Sequence, residues 1–161
     1  MSSTHPDVIL NQMRERYLHK KVQDTRSPTG NWLGMTLEEV ARGEAMLSMP
    51  VRPEMANPYG GIHGGMMATL CDEAIGWAII SLGLEQHYTT VNLNTDFLYT
   101  ARVGEVIQAR SRIVREGKKI INAEVHVYNE TGVLLAHTTS NLVVTGMKMS
   151  ATEVFDAGSR T

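Results

Sequence analysis

The chain has 161 residues, a length that suits a single domain with a core of useful size. Hydrophobic residues make up 42% of the chain and charged residues 20%, and the formal net charge is -2. These values are those of an ordinary globular protein. Because Lys and Arg are spread along the chain, no basic patch can displace the counterions of a nucleic acid, and we expect no nucleic-acid partner.

Cys71 is the only cysteine, which excludes an internal disulfide and a metal site built from cysteines alone. Its apolar neighbours predict a buried thiol with a structural role. The N-terminal residues lack the pattern of a signal peptide, and the longest apolar stretch, Met66–Leu82, is interrupted by Asp72 and Glu73. We therefore expect a cytoplasmic protein with no membrane partner.

The first part of the chain predicts one helix and two strands. Pro6–Val22 has the pattern of an amphipathic helix, and the Ser-, Pro-, Thr- and Gly-rich segment Asp24–Asn31 predicts a loop. Strands are predicted at Leu33–Val40 and Gly43–Pro50. The segment Arg52–Ile62 contains two prolines and two glycines and predicts a long loop of the kind that often carries function.

A long helix is predicted next, over Gly64–Leu82, with Gly83 as its C-cap. Its side chains are apolar on nearly every side, which predicts a buried helix. Because one sheet cannot bury a helix on all sides, the sheet must curl around it or a second subunit must cover it.

Four strand patterns separated by turns follow the helix. Alternation of apolar and polar residues predicts strands at 91–97, 104–115, 121–128 and 134–144, paired antiparallel. The last residues, Met147–Thr161, lack periodicity and predict a loose tail. We therefore divide the chain into an N-terminal helix and loop (1–31), one α+β domain (32–146) and a C-terminal tail (147–161).

The start of the long helix carries two adjacent glycines, Gly64 and Gly65. The first amides of a helix have no partner inside it and form a ready site for an anion. Since Gly64 has no side chain, a ligand carbonyl can approach its amide closely, and the amide can then stabilise an oxyanion. The alternative is that the glycines only permit a tight turn from loop to helix.

Asp72 lies two turns into the same apolar helix. A buried carboxylate needs a partner, and desolvation raises its pKa, which suits a general base. The same group could attack a substrate carbonyl directly, and the alternative to both is a structural ion pair. Glu73 lies about 100° further round the helix, so we do not expect both carboxylates to enter one pocket in the same way.

Two polar residues of the preceding loop complete the candidate site. Asn57 in a Pro- and Gly-rich loop is typical of a turn former, and an isolated His63 is typical of a structural residue. Together they can shape the loop and donate hydrogen bonds near the carbonyl group of a ligand.

The whole motif is more specific than its parts. It consists of six residues: Asn57, Gly60, His63, Gly64, Gly65 and Asp72. This motif resembles that of the PaaI-like single-domain hotdog acyl-CoA thioesterases. The resemblance continues through 89–98 and 101–105 and covers about 44–144.

The resemblance implies a hotdog fold, in which an antiparallel sheet wraps around the long helix, here with an extra N-terminal helix. It implies a homo-oligomer, with an active site at the dimer interface and pairs of dimers forming tetramers. The Gly64 amide of one subunit then polarises the thioester carbonyl, supported by Asn57 and His63. Asp72 of the other subunit acts as nucleophile or general base, and Thr90 holds the attacking water.

The substrate implied by the resemblance is an acyl-CoA with an aryl-acyl or a short or medium-chain acyl group. Residues assigned to substrate binding are those near the loop and on two basic segments: Tyr59, Gly65, Met66, Met67, Arg102, Arg115, Lys118 and Lys119. The basic residues suit the CoA phosphates, although a solvated turn explains 115–119 equally well. The resemblance also implies that no metal is needed, and no cofactor is expected. The scattered histidines agree with this, since His5, His19, His87, His126 and His137 share no metal-binding spacing.

Two other functions fit the same fold. One is an enoyl-CoA hydratase or dehydratase of the hotdog type, which needs a catalytic His that the sequence does not mark out. The other is a non-catalytic protein that binds acyl-CoA, since fold alone does not fix function.

Overall fold

The computed structural model describes residues 6–148 and 151–156 of the chain. It contains four helices and six strands within those residues. In chain order they are α1 Pro6–Tyr17, α2 Pro28–Leu33, β1 Thr36–Ala41, β2 Glu44–Pro50, α3 Gly64–Ile80, β3 Gln86–Phe97, β4 Val106–Glu116, β5 Ile120–Asn129, β6 Leu134–Lys148 and α4 Ala151–Val154. A single 3-10 turn, Pro53–Met55, interrupts the loop between β2 and α3.

The six strands form one antiparallel sheet in the order β1-β2-β4-β5-β6-β3. Side chains of one face are buried beneath α3, as the period-2 patterns predicted; on β5 these are Ile121, Ala123, Val125 and Val127. The predicted α+β arrangement of a long helix on an antiparallel sheet is therefore confirmed. Strand β3 begins at Gln86, earlier than predicted, and forms one edge of the sheet.

The sheet covers α3 on one face only. Leu70, Ala74 and Ile75 are fully buried against the sheet, whereas Asp72 is exposed and Ile79 is only half-buried. Part of the outer face of α3 is therefore open in the single chain, although Tyr17 and Phe155 pack against Trp77 of this helix. That a second subunit covers the open part stays a prediction. Within the described part of the chain, no helix is long and apolar enough to cross a bilayer.

The N-terminal segment departs from the prediction in two ways. Helix α1 ends at Tyr17, and the chain after it forms bridges to Thr36 and Leu37, which cover the outer edge of β1. The predicted loop at 24–31 in fact contains the start of α2. The Ser27 hydroxyl caps this short helix by accepting a hydrogen bond from the Gly30 amide at 3.0 Å.

The described part of the C-terminal segment is not a loose tail. Phe155 follows α4 and is only 1% exposed, with its ring 5.3 Å from Tyr17 and 5.8 Å from Trp77 of α3. The Arg26 amide also donates to the Val154 carbonyl at 3.1 Å. The Phe155 ring and this backbone hydrogen bond hold the segment against the core, and the aperiodic sequence did not reveal them. Residues 149–150 and 157–161 of the predicted tail lie outside the described residues.

Cys71 is buried in α3, as its neighbours predicted. Burial raises the pKa of its thiol to about 11, and the nearby Asp72 charge adds to this, while a hydrogen bond with Thr138 opposes it. The thiol is therefore protonated and inert at neutral pH.

We expect Phe155→Ala to lower the free energy of unfolding by about 3–5 kcal/mol, because it leaves a cavity between Tyr17 and Trp77. Urea titration followed by circular dichroism measures this. Val114→Ala, which shortens an exposed side chain on β4, is the matched control and should change stability by less than about 0.5 kcal/mol. A loss as small as the control's for Phe155→Ala would contradict the packing of the C-terminal segment.

Candidate active site

Asp72 and Thr90 form a hydrogen-bonded pair that joins α3 to the edge strand β3. The Thr90 hydroxyl donates to one carboxylate oxygen of Asp72 at 3.0 Å. Both side chains are exposed in the single chain, so the predicted desolvation of Asp72 is not present within one protomer. The pairing still brings together two of the residues that the sequence assigned to catalysis.

Glu73 has a different partner and a more buried position. Its carboxylate accepts a hydrogen bond from the Ser27 hydroxyl at 2.8 Å, at the start of α2. Burial raises its pKa, the Ser27 hydrogen bond opposes the rise, and the charge of Asp72 adds to it. Glu73 therefore fastens the N-terminal segment to α3, whereas Asp72 faces Thr90.

A cavity of about 520 Å³ opens beside these carboxylates. Both Asp72 and Glu73 line it, which the sequence did not lead us to expect, but they do so with separate partners. Most of the remaining lining surface is apolar and comes from residues such as Ile80 and Phe155, but Arg26, Gln86 and His87 also line the cavity. A concave pocket with mostly apolar walls and several polar groups is the usual form of a small-molecule site.

Asn57 organises the loop before α3. Its side-chain oxygen accepts hydrogen bonds from the amides of Tyr59 at 2.9 Å and Gly61 at 3.1 Å, and its side-chain amide donates to the Ile62 carbonyl. These bonds are those of the turn former that the sequence predicted.

His63 caps α3 with its side chain. Its Nδ1 accepts a hydrogen bond from the Gly65 amide at 3.0 Å, which places the proton of the neutral ring on Nε2. Among the described residues none accepts a hydrogen bond from the Gly64 amide. The ring of Phe97, at the end of β3, lies beside Gly64, so that a Cβ at Gly64 would come within 3.3 Å of it.

The two halves of the candidate site do not meet within one chain. Asp72 follows Gly64 by eight residues, which separates them by about 12 Å along the helix axis. The carboxylate and the helix-start amide therefore cannot act on one thioester inside a single protomer.

The residues predicted to bind substrate are dispersed. Tyr59 is 89% exposed at the loop tip, and Met66 is half-buried. Met67 is a correction: it is 1% exposed and belongs to the core, because its side chain faces the sheet. Arg102 is exposed and bridges through its backbone to Gly61.

The basic turn between β4 and β5, with Arg115, Lys118 and Lys119, is exposed. Tyr88 lines the cavity, and its hydroxyl donates a hydrogen bond to the Lys118 carbonyl at 3.0 Å. The turn is thereby fixed next to the cavity.

Two histidines that share no metal-binding spacing in sequence meet across strands. His126 of β5 and His137 of β6 face each other with ring centroids 4.5 Å apart, and Glu124 lies beside them. Arg112 forms a salt bridge with the Glu124 carboxylate. The spacing of the histidines in sequence therefore did not reveal that His126 and His137 meet. The Arg112 guanidinium already neutralises the Glu124 carboxylate beside them.

Residues 59–136 match the family described as the thioesterase superfamily. Acyl-coenzyme A thioesterase 13 of Homo sapiens is 30% identical over 103 residues, covering 63% of this chain and 74% of that protein. This chain belongs to the thioesterase superfamily.

Further comparisons show which thioesterases this chain resembles. The medium/long-chain acyl-CoA thioesterase YigI of Escherichia coli K12 is 29% identical over 133 residues, covering 73% of this chain and 85% of that protein. The structure of a mutant of the phenylacetic acid degradation protein PaaI from Thermus thermophilus has a TM-score of 0.67 at 26% identity, covering 73% of this chain and 98% of that chain. The resemblance to PaaI-like hotdog thioesterases is confirmed.

Sequence reasoning missed most of the cavity of this thioesterase. Ser27 and Phe155 lie in segments that had been assigned to a loop and a tail. Gly76 carried a readable signal: a glycine inside an otherwise regular helix costs stability and usually has a packing or functional reason. It lies one turn after Asp72, on the same face of α3.

Stability of this thioesterase should depend on the ionisation of Glu73. Because burial raises its pKa above the ordinary 4.5, the folded state holds a proton that the unfolded chain has already lost. Stability therefore falls as pH rises from 4.5 through the raised value. Glu73→Gln keeps an acceptor for Ser27 and removes the charge, so we expect the variant to gain stability relative to wild type as pH rises.

Urea unfolding at about pH 4 and about pH 7.5 measures this difference. Glu85→Gln, which neutralises an exposed carboxylate, is the control for a general charge effect. An identical pH dependence of stability in wild type and Glu73→Gln would show that burial does not raise the pKa of Glu73.

Proposed function

We propose that this thioesterase hydrolyses acyl-CoA to a free acid and CoA. The active form is a dimer with two active sites, each built from residues of both protomers. The observation that carries the proposal is the Asp72–Thr90 pair at the head of an apolar cavity. Both curated relatives described above are named as acyl-CoA thioesterases, which supports the choice of thioester.

Asp72 supplies the base or the nucleophile of the reaction. As a base, it takes a proton from a water that Thr90 helps to hold, since the Thr90 oxygen can still accept a hydrogen bond. The hydroxide then attacks the thioester carbonyl carbon, the C–S bond breaks, and the thiolate of CoA leaves with the proton that Asp72 had accepted. As a nucleophile, the carboxylate itself attacks the carbonyl carbon and the C–S bond breaks, so that the CoA thiolate leaves and takes up a proton from water. Water then hydrolyses the resulting anhydride to the free acid and restores Asp72.

The Gly64 amide stabilises the oxyanion that forms during this attack. It points out of the start of a 17-residue helix, where the dipole favours negative charge. His63, with its proton on Nε2, adds a second donor beside the carbonyl, while Asn57 holds the loop in shape. The mechanism thus uses protein groups and water, and we propose no resident cofactor or metal.

The partner protomer supplies the missing half of each site. Since about 12 Å of helix separates Asp72 from Gly64 in one chain, the amide must come from a second copy. The outer face of α3, with half-buried Met66, Ile79 and Ile80, offers an apolar surface that a second copy can cover.

The edge of the sheet indicates how two copies join. The outer edge of β1 is covered by the N-terminal segment, whereas within 6–148 and 151–156 nothing pairs with the outer edge of β3. This 12-residue strand carries exposed Val91 and Phe97. A long edge strand with unpaired backbone N–H and C=O groups is a template for pairing with another chain.

Antiparallel pairing of β3 with its own copy brings the two half-sites together. Thr90, beside Asp72, lies toward the start of β3, and Phe97, beside Gly64, ends it. A two-fold axis near residues 93–94 places Thr90 opposite the partner subunit's Phe97, and so brings Asp72 toward Gly64 of the partner subunit. CoA phosphates then lie against the exposed Arg102 and the basic turn at 115–119. We propose that two such dimers form a tetramer.

We expect Asp72→Asn to lower kcat by about 100-fold or more with KM little changed, because the amide keeps the shape and loses the base. Thr90→Ala should lower kcat about tenfold through the lost hydrogen bond. Thiol release from saturated acyl-CoA measures both. Glu130→Gln, which neutralises an exposed carboxylate in the turn between β5 and β6, is the control and should keep full activity.

Wild-type turnover in Asp72→Asn would remove this carboxylate from the mechanism. Binding of acyl-CoA without thiol release by the wild-type protein would instead identify a non-catalytic acyl-CoA-binding protein.

Mixed dimers test whether the site is shared. Chains carrying Asp72→Asn and chains carrying His63→Ala damage opposite halves, so a mixed dimer keeps one intact site. Random mixing after co-refolding should restore about a quarter of wild-type activity, well above either variant alone. Activity equal to the mean of the separate variants would contradict a shared site.

A further inference from the structure

We propose that the face of the sheet opposite to α3, here called the distal face, binds a zinc ion between His126, His137 and Glu124. The ion binds reversibly, joins β5 to β6 and stabilises the fold. It takes no part in the hydrolysis proposed above, which needs no metal, because Asp72 and the rest of α3 lie on the other side of the sheet.

Alternation along the strands places all three side chains on the distal face. On β5, Val125 and Val127 are buried beneath α3, so Glu124 and His126 point the opposite way. His137 of β6 lies directly opposite His126 in the antiparallel register, and its side chain therefore shares that face. The backbone of the sheet thus sets the positions of these side chains before any ion binds.

The three side chains are close enough to share one ion. The ring centroids of His126 and His137 are 4.5 Å apart. One nitrogen of each ring and one carboxylate oxygen of Glu124 all lie within 4.8 Å of one another. Zinc holds such atoms at about 2.0–2.2 Å in a tetrahedron, which separates two ligand atoms by about 3.4 Å. Small rotations of the side chains close this difference while the backbone stays in place.

Arg112 engages one oxygen of Glu124 and leaves the other available. The guanidinium bonds to Oε1, with its Nε at 3.1 Å, whereas Oε2 lies 3.6 Å from Nε2 of His137. This second distance is longer than a hydrogen bond, so Oε2 can still take a ligand. An outer partner that fixes the orientation of a ligating carboxylate is a regular part of metal sites, and Arg112 has that position here.

The charge of the distal face favours a cation. Among the described residues, four carboxylates and two guanidinium groups line the cavity next to the histidines or pair with them across strands: Glu39, Glu44, Asp96, Glu124, Arg110 and Arg112. Asp96 of β3 lies directly opposite His137. The negative charges outnumber the positive ones, and they attract a cation although Arg112 offsets Glu124.

The site is accessible and suits zinc in particular. The side chain of His137 is 31% exposed and that of Glu124 is 20% exposed, and a cavity of about 450 Å³ opens beside Glu124 and His126. An ion can enter from solvent, and water can fill the fourth position of its tetrahedron. Two imidazoles and one carboxylate suit zinc, whereas magnesium and calcium prefer oxygen ligands alone.

Isothermal titration calorimetry of the full chain with zinc chloride, after a chelator has been added and dialysed away, tests the site. We expect a single site per chain, and His126→Asn or His137→Asn should each weaken zinc binding at least about tenfold. Glu124→Gln should also weaken it, because a neutral amide is a poorer ligand than a carboxylate. His19→Asn is the matched control. His19 also lies 3.6 Å from a carboxylate oxygen, that of Glu38, but it belongs to no potential metal-ligand cluster among the described residues.

A second measurement separates loss of the ion from loss of the fold. Saturating zinc should raise the melting temperature of wild type, followed by circular dichroism, because a ligand of the folded state stabilises it. The shift should disappear in His126→Asn and His137→Asn and persist in His19→Asn. Without zinc, all of these variants should melt near the wild-type temperature, since the three replaced side chains are partly or fully exposed. Magnesium at the same concentration should produce no shift.

Absence of zinc binding by wild type overturns the proposal, and so does an unchanged zinc affinity in both His126→Asn and His137→Asn. Thiol release from acyl-CoA by wild type should be equal with and without the chelator. A loss of activity in the chelator would contradict an ion that is separate from the reaction. Failure to bind zinc leaves hydrolysis at Asp72 untouched, so the two proposals stand or fall separately.

Discussion

The hydrogen bond from Thr90 to Asp72 links the two elements on which the rest of the site depends. It ties the open face of the central helix to the edge strand of the sheet, and it fixes a carboxylate at the mouth of an apolar cavity. An exposed pair of this kind contributes little to stability, because water competes for both groups. The hydrogen bond matters because it orients Asp72. One carboxylate oxygen accepts the Thr90 hydrogen bond, and the other remains available as the proposed base or nucleophile.

Much of the fold could be predicted from the sequence, because it depends on repeated patterns. Alternation marked the strands of the meander, and a long apolar run marked the central helix. The short α2 and the docking of Phe155 could not be predicted in this way. Each depends on a few tertiary contacts, such as the Ser27–Glu73 hydrogen bond, rather than on periodicity.

The part of the candidate site that lies in one short segment could be predicted from the sequence. The parts that the fold brings together from distant segments could not. Asn57, His63 and Gly64 lie close in sequence and in space, and Asp72 follows at a fixed helical distance. Met67 was misassigned, because one residue of helix rotation separates the core face from the open face. His126 and His137 escaped notice, because register between strands brings them together and spacing in sequence does not.

The glycine at position 76 has a consequence for how this protein withstands heat. In the interior of a helix, glycine costs about 1 kcal/mol relative to alanine, since it loses more backbone freedom on folding. Selection for a higher melting temperature would favour almost any side chain there. Thermal stability and open space beside α3 therefore make opposite demands on this position, and the present residue gives up some of the first for the second.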